Sequence, residues 1–236
     1  MNRPYVICHM LTSLDGKIDG SFFGASESGP TITAYANIRK DYNCQAALYG
    51  TTTMLGGYSE GLAGKLSQAG ERYPKEDYIA HSDVKNYIVS MDPKGVLGWS
   101  SGYIEKKGRP RAHVIEVLTE AVSEDYLAYL RRFDISYVFA GKEQIDGRLL
   151  LQKLYSAFGI ERLMIAGGGM TNWAFAGKGL IDELSLVIAP VADGGTTSVS
   201  IFENSDFFSG NEPVVFELKE VKQLEGSSLW LRYVTK

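Results

Sequence analysis

Apolar residues recur along this chain in two periods, and the alternation between them outlines the fold. Short apolar runs bounded by Gly, Pro, Asp or Ser read as buried strands. They occur at residues 5–10, 46–49, 86–90, 112–118, 136–140, 163–166 and 184–189, the last ended by Pro190. Between them lie helical spacings. Residues 31–42 place Ile32, Tyr35, Ile38 and Tyr42 on one stripe, with Thr31 or Thr33 as cap. Residues 124–133 turn Tyr126, Leu127, Leu130 and Phe133 inward, and residues 148–158 do the same with Leu150, Leu151, Leu154 and Phe158 before Gly159 stops the helix. Two alternating segments, 214–221 and 228–234, close the chain as an antiparallel hairpin. Strand and helix in turn imply an α/β fold with a mostly parallel mixed sheet, helices on both faces and an antiparallel edge. Residues 21–30, 91–102 and 193–213 read as loop, as do residues 56–83 with one helical turn. No repeat or linker divides the chain, which predicts one domain over residues 1–236.

The pattern is most informative from residue 160 to residue 195. The run Leu163, Met164, Ile165 and Ala166 meets Gly167, Gly168 and Gly169, and a short helix carrying Trp173, Ala174 and Phe175 follows, with Thr171 or Asn172 as cap. A glycine turn feeding a helix N-terminus offers unpaired N–H groups and the positive end of the helix dipole, which suits a phosphate. It has neither the Lys-Ser/Thr ending of a P-loop nor GxGxxG spacing. The pattern alone leaves two readings open, a ligand site and a tight turn. A second strand-to-helix turn, Gly50 followed by Thr51, Thr52 and Thr53, also reads as a helix cap when taken alone.

Composition narrows the function classes. Of 236 residues 44% are hydrophobic and the net charge is -4 without a like-charge block, so a packed core is expected and neither nucleic acid nor an anionic membrane is an expected partner. No apolar run reaches a membrane span, and the N-terminus reads as a strand rather than a leader. The two cysteines, Cys8 and Cys44, read as buried free thiols of a reducing, cytoplasmic compartment, and no Cys/His set has zinc spacing, so no metal is expected.

Four segments together carry a family likeness: TSLDGK (12–17), ALYGTTTML (47–55), YIVSMD (87–92) and IAGGGMTNWAFAGKGLIDELSLVIAPVADGG (165–195). In this order they resemble the pyrimidine reductases of riboflavin biosynthesis, the RibD C-terminal domain family. The resemblance implies a dihydrofolate-reductase-like three-layer α/β/α fold, a homodimer, and NADPH across the carboxyl ends of the parallel strands, as the rule for open α/β sheets also expects. Carried over, it makes Thr12, Gly50, Thr53, Ser90, Met91, Gly167, Gly168, Gly169, Met170 and Thr171 cofactor residues, and Arg39 and position 166 substrate residues. The substrate implied is the small phosphorylated 2,5-diamino-6-ribosylamino-4(3H)-pyrimidinone 5′-phosphate.

Three positions depart from the family. Ala166 stands where members carry a glutamate on the substrate, Gly57 where they carry an acid on the cofactor, and His9 where they carry a lysine. A pocket lacking its hydrogen-bond partners discriminates poorly for a polyhydroxylated substrate. The cofactor half therefore reads as intact and the substrate half as altered. The expected chemistry is hydride transfer to C=N or C=O, with His9, Asp15 and Lys17 as candidate proton-handling residues; His9 reads more readily as a strand histidine satisfied locally, and Asp15 reads also as the residue that holds its turn. Other readings are a reductase of the same fold acting on another small carbonyl, imine or pterin-like substrate, and a nucleotide-binding relative without catalysis.

Overall fold

The structure is a computed structural model that describes residues 2–66, 68, 70–204 and 212–235. In chain order its elements are β1 (Tyr5–Thr12), α1 (Ser28–Asp41), β2 (Ala46–Gly50), α2 (Thr51–Leu55), β3 (Tyr87–Met91), β4 (Tyr103–Ile104), β5 (Ala112–Leu118), α3 (Glu124–Arg131), β6 (Ser136–Phe139), α4 (Gly147–Phe158), β7 (Arg162–Ile165), α5 (Gly169–Ala176), β8 (Glu183–Ile188), β9 (Phe216–Gln223) and β10 (Leu229–Thr235). The expected strands and helices are all present, and the α/β class and closing antiparallel hairpin are as the periodicity implies.

The chain divides into two compact units, each assembled from separated segments. One takes Gln45–Glu161 with the N-terminal residues up to Pro4. Its strands run in the order β4-β5-β3-β2, with β6 also beside β5; all pairs are parallel except β4 with β5. β5 is buried along its whole length, and its apolar run is broken only by His113 and Glu116, both buried with it. Ser123 caps α3 by accepting from Tyr126 N at 3.2 Å, and Asp146 caps α4 by accepting from the N–H groups of Arg148 and Leu149. Gly159, at φ 65°, stops α4 in the left-handed conformation that glycine adopts without strain. A pocket of about 420 Å³ opens at the start of β3 and β5, lined by His81, Tyr87, His113 and Phe158 among others, at the opposite strand ends from Gly50 and Met91.

The other unit takes Tyr5–Cys44 and the chain from Arg162 onward. Its order is β7-β1-β8-β10-β9, parallel from β7 to β8 and antiparallel beyond. Ile7, Leu11, Phe22, Ile38, Tyr42, Met164 and Val187 form one buried cluster beneath α1.

Local differences from the sequence expectations have physical causes. α1 begins at Ser28, three residues early, because Pro30 tolerates a first helical turn, where its missing N–H is not needed. Glu27 precedes it and no side chain caps it. Thr31 is buried instead and hydrogen-bonds Ser228, while Thr33 donates to Gly29 O at 3.1 Å. Ile32 consequently faces solvent. The loop at 21–30 is shorter than expected, since Ser21–Gly24 is a 3-10 turn that buries Phe22. α5 begins at Gly169 with Gly168 before it, so Thr171 and Asn172 lie inside the helix rather than capping it. Residues 56–83 form no helical turn among the described residues; they are held by bridges of Leu62 to Leu97 and Tyr78 to Tyr137. β4 falls in a stretch without alternation and carries no sequence signal. Residues 67, 69 and 205–211 of the expected loops lie outside the described residues. No described helix is long and apolar enough to cross a membrane.

Candidate functional site

In the unit built on β1, the candidates gather at the carboxyl ends of β1 and β7. Thr12 ends β1, buried, its carbonyl accepting from Ala189 N at 2.8 Å. β7 runs into the glycine turn. Gly168 has φ 83°, a left-handed value that favours glycine. Gly169 is needed for a different reason, since a Cβ there would lie 2.4 Å from Ser200 O and 3.0 Å from Glu203 Cγ. The glycines thus serve the protein's own packing. What they leave to a ligand is the start of α5. Asn172 N, bonded to Gly168 O at 2.9 Å, is the first helical donor, so the N–H groups of Gly169, Met170 and Thr171 precede the ladder and sit at the positive dipole end. Met170 is exposed and Thr171 half-buried there. Asn172 is fully buried; its Nδ2 donates to Ile201 O at 2.8 Å while its Oδ1 is enclosed without a partner among the described residues.

The TSLDGK turn braces this region. Asp15 accepts from Ser13 Oγ at 2.6 Å, from Asp193 N at 2.9 Å and from Gly194 N at 2.9 Å. The Ser13 hydroxyl and those two amides hold its carboxyl well below the usual carboxylate range. Asp193 in turn accepts from Phe22 N, Gly195 N and Ser198 Oγ. Lys17 donates through Nζ to Ser198 O at 3.1 Å and reaches Ser200 Oγ at 3.4 Å. Of its three ammonium hydrogens these use two, so Lys17 keeps a donor for another acceptor.

His9 is sealed in the core. Its Nε2 is 3.1 Å from Tyr35 O, which can only accept, and its Nδ1 is 3.0 Å from Ser185 Oγ, which also receives Trp230 Nε1–H at 2.9 Å. The consistent arrangement is a neutral ring protonated at Nε2, with the Ser185 hydroxyl donating to Nδ1. Burial lowers its pKa to about 4, and its ring stacks on Tyr35 at 4.3 Å. This is the locally satisfied strand histidine of the two readings. Ala166 is half-buried against the apolar cluster beneath α1. Arg39, half-buried in the last turn of α1, carries its charge near His9.

The unit built on β5 holds the remaining candidates. Gly50 precedes α2, and Thr51 Oγ1 donates to Met91 O at 2.6 Å, tying the end of β2 to the end of β3. Thr53 is half-buried in α2. Ser90 is fully buried, in register with Glu116 of β5; its hydroxyl and Trp99 Nε1 both face the enclosed Glu116 carboxylate and favour its charged form, although among the described residues none of these atoms makes a hydrogen bond of ordinary geometry. Burial, reinforced by nearby Asp92, raises the Glu116 pKa well above its ordinary value. The Ser90 side chain thus points into this interior, and what it offers at the strand end is backbone.

Sequence reasoning missed Ser200 and Glu203, whose contacts wall the glycine turn, and the cations Lys106 and Arg109. Lys106 donates to Gly57 O and Arg109 donates to Tyr49 Oη at 3.0 Å. The cation-rich turn Lys106-Lys107-Gly108-Arg109 and the vacated acid at Gly57 are the two signals that, combined, could have found them.

Comparison with known proteins follows the same line. Residues 4–228 match the model of the RibD C-terminal domain. The chain is 27% identical over 241 aligned residues to the 2,5-diamino-6-ribosylamino-4(3H)-pyrimidinone 5′-phosphate reductase of Methanothermobacter thermautotrophicus, covering 99% of both. Among solved structures it is similar to a pyrimidine reductase-like protein of Corynebacterium diphtheriae, at a TM-score of 0.68 and 16% identity over 100% of this chain and 93% of that one. It is also similar to RibD of Acinetobacter baumannii, at a TM-score of 0.58 and 22% identity; there all of this chain spans 59% of the longer protein. At these identities the structural likeness speaks for the fold, which is dihydrofolate-reductase-like.

Proposed function

The chain belongs to the RibD C-terminal domain family, and from that premise we propose that it is an NADPH-dependent reductase of 2,5-diamino-6-ribosylamino-4(3H)-pyrimidinone 5′-phosphate, the reaction named for its relative in Methanothermobacter thermautotrophicus. In this reading the whole chain works as one reductase domain, cytoplasmic and homodimeric. The observation that carries it is the start of α5, where the amides of Gly169, Met170 and Thr171 precede the helical ladder just after the carboxyl end of β7 and Thr171 adds a hydroxyl. Their chemistry fits the pyrophosphate of a dinucleotide, because every one can donate to anionic oxygen. The turn is braced by the chain itself, since Ser200 and Glu203 wall it and Asp15 accepts from the amides of the neighbouring loop.

A nicotinamide cofactor, when bound, would supply the hydride that reduces the C=N or C=O carbon of an opened ribosylamino group to ribitylamino. The protein's share is position and charge. In the unit built on β1, Thr12, Gly167 and Gly168 are assigned to cofactor binding; in the unit built on β5, Gly50, Thr53, Ser90 and Met91 are, through backbone and hydroxyl groups. Arg39 is assigned to the substrate phosphate as a bidentate donor. Of the three proton-handling candidates, His9 is neutral and enclosed, and Asp15 has its oxygens engaged in the turn. Lys17 keeps a free donor, and the proposal gives it the contact to the developing negative charge on substrate nitrogen or oxygen.

Ala166 supports a second reading. Packed against the apolar cluster, it offers a methyl where relatives of the bacterial type offer a carboxylate, which favours a less hydroxylated carbonyl, imine or pterin-like substrate.

Titration of the protein with NADPH, followed through Trp173 (half-buried beside Phe202, with ring centroids 6.3 Å apart), tests the cofactor half. Nucleotide oxidation at 340 nm with the ribosylaminopyrimidine phosphate then tests the substrate half. Micromolar binding with turnover is the expected result. Binding without turnover on that substrate shifts the case to the second reading, and no nucleotide binding overturns the reductase assignment.

A further inference from the structure

The segment from Ser198 to Glu203 is strung between two parts of the candidate site, all within the unit built on β1. On one side it meets the TSLDGK turn. Ile18 N donates to Val199 O at 2.9 Å, Ile201 N donates to Gly16 O at 3.1 Å, and Lys17 pairs antiparallel with Ser200. Lys17 Nζ also donates to Ser198 O at 3.1 Å and reaches Ser200 Oγ at 3.4 Å, so the ammonium group takes its place from this segment. On the other side the segment meets α5. Glu203 N donates to Gly169 O at 3.1 Å, and Asn172 Nδ2 donates to Ile201 O at 2.8 Å. Glu203 Oε1 accepts from Ser200 N at 2.7 Å and closes the segment on itself.

Asn172 is a costly residue for its place. It is fully buried, and its Oδ1 has no partner among the described residues. A buried acceptor left unpaired costs free energy that an apolar side chain of similar size would not. Packing therefore does not account for an asparagine here, and the bond from Nδ2 to Ile201 O does. Ile201 then ties α5 to the turn through its own two backbone groups, its carbonyl to Asn172 and its N–H to Gly16, the neighbour of Lys17.

We propose that Asn172 is a positioning residue for the reductase reaction. By fixing Ile201 it sets the Ser198–Glu203 segment against α5, and so places the Lys17 ammonium group relative to the amides of Gly169, Met170 and Thr171. The inference rests on the reading that those amides take the nucleotide and that Lys17 meets the charge developing on the substrate. The Asn172 side chain is enclosed, so it acts through Lys17 and not by contact with a ligand. A small misplacement of a group that must meet the transition state is enough to slow a reaction.

The test is a double-mutant cycle on NADPH oxidation with the ribosylaminopyrimidine phosphate, using the wild type, Asn172→Leu, Lys17→Met and the double variant, with NADPH dissociation constants from tryptophan fluorescence. Asn172→Leu should lower kcat at least about tenfold while KM and the NADPH dissociation constant stay within about threefold. The double variant should be no slower than Lys17→Met. Asn172→Ala removes the same bond without added bulk, should show the same non-additivity, and carries the test if the leucine variant does not fold. A packing role alone would multiply with the Lys17→Met loss, and such additivity in kcat overturns the inference while the reductase reading stands. NADPH binding that weakens in proportion to kcat overturns it too. A wild type that binds NADPH without turning the substrate over overturns the inference together with the substrate assignment, and a wild type that binds no nucleotide overturns the cofactor reading as well.

Discussion

Gly169→Ala sets two calculable effects against each other. Gly169 is the first residue of α5, and alanine in a helix is favoured over glycine by at most about 1 kcal/mol. Against that, the new methyl would lie 2.4 Å from Ser200 O, 3.0 Å from Glu203 Cγ and 3.2 Å from Glu203 Cβ. The oxygen is backbone and cannot swing aside. Its segment is tied on both sides, by Ile18 N to Val199 O at 2.9 Å, Ile201 N to Gly16 O at 3.1 Å and Glu203 N to Gly169 O at 3.1 Å, and Asn172 Nδ2 holds Ile201 O at 2.8 Å. Overpacking against a fixed wall costs about 1–3 kcal/mol, and stretching one of these bonds adds about 1 kcal/mol. The clash outweighs the propensity gain, for a net loss of about 1–3 kcal/mol. In a chain of this length that lowers Tm by roughly 3–9 °C.

The functional readout follows from the same displacement. The amides of Gly169, Met170 and Thr171 move with the helix start, so nucleotide binding should weaken along with Tm. Gly168→Ala is the control: its Cβ would be 3.3 Å from Thr171 Oγ1 and no closer to other atoms, but the φ of 83° costs about 1–2 kcal/mol. It strains the turn without pushing on Ser200. Thermal unfolding and NADPH titration of both variants decide the matter. A Gly169→Ala protein that melts at or above the wild type would show that helix propensity wins and that the Ser200–Glu203 segment is not a rigid wall.

Two further perturbations concern buried carboxylates. In Glu183, burial pushes the pKa up, but hydrogen bonds from Arg232 (2.7 and 3.1 Å) and from the Tyr42 and Tyr5 hydroxyls outweigh it and hold it low. That contribution to stability is therefore present above the unfolded carboxylate range and lost as pH falls. Arg232→Met should cost about 3 kcal/mol and reverse the sign, because burial then dominates and the variant loses stability as pH rises; urea midpoints at pH 5 and pH 8 read this, and an equal loss at both would refute it. Glu116, whose pKa is raised by burial and by Asp92, contributes stability that is full below its unfolded pKa and is lost as pH rises through the folded one. Glu116→Gln should flatten the wild type's decline in urea midpoint between pH 6 and pH 9, and an unchanged slope would show that the carboxyl is not the group titrating.

Every strand but β4, and three of the helices, were legible because their burial is written in composition: β5 is covered throughout and apolar except at His113 and Glu116, and α4 shows its cap at Asp146 and its stop at Gly159. The start of α1 was not, because no side chain caps it and the residues before Thr31 read as a glycine-serine loop. β4 was invisible for a related reason. Two residues pairing antiparallel with the start of β5 leave no periodicity to detect. The division of the chain into two units built from interleaved segments also leaves no mark, since each return of the chain is an ordinary strand.

The candidate site was legible as residue types and less so as roles. Asp15 read as a candidate for chemistry or a turn brace, and the structure gives its oxygens to Ser13 Oγ, Asp193 N and Gly194 N. That one constellation explains why TSLDGK and the ADGG ending of the long motif occur together: the aspartate of the first supplies the acceptor for the amides of the second. Separated by 178 positions in the chain, the two read from sequence as independent motifs, yet a change in either releases the other. His9 shows the converse. Its ionisable ring suggested proton transfer, but a carbonyl on one nitrogen and a serine hydroxyl on the other use the ring fully as a neutral core group. Chemistry is then left to groups with unspent donors, which are the first amides of α5 and the third hydrogen of Lys17. Counting donors against acceptors in the folded chain separates these from the others, and residue type alone does not.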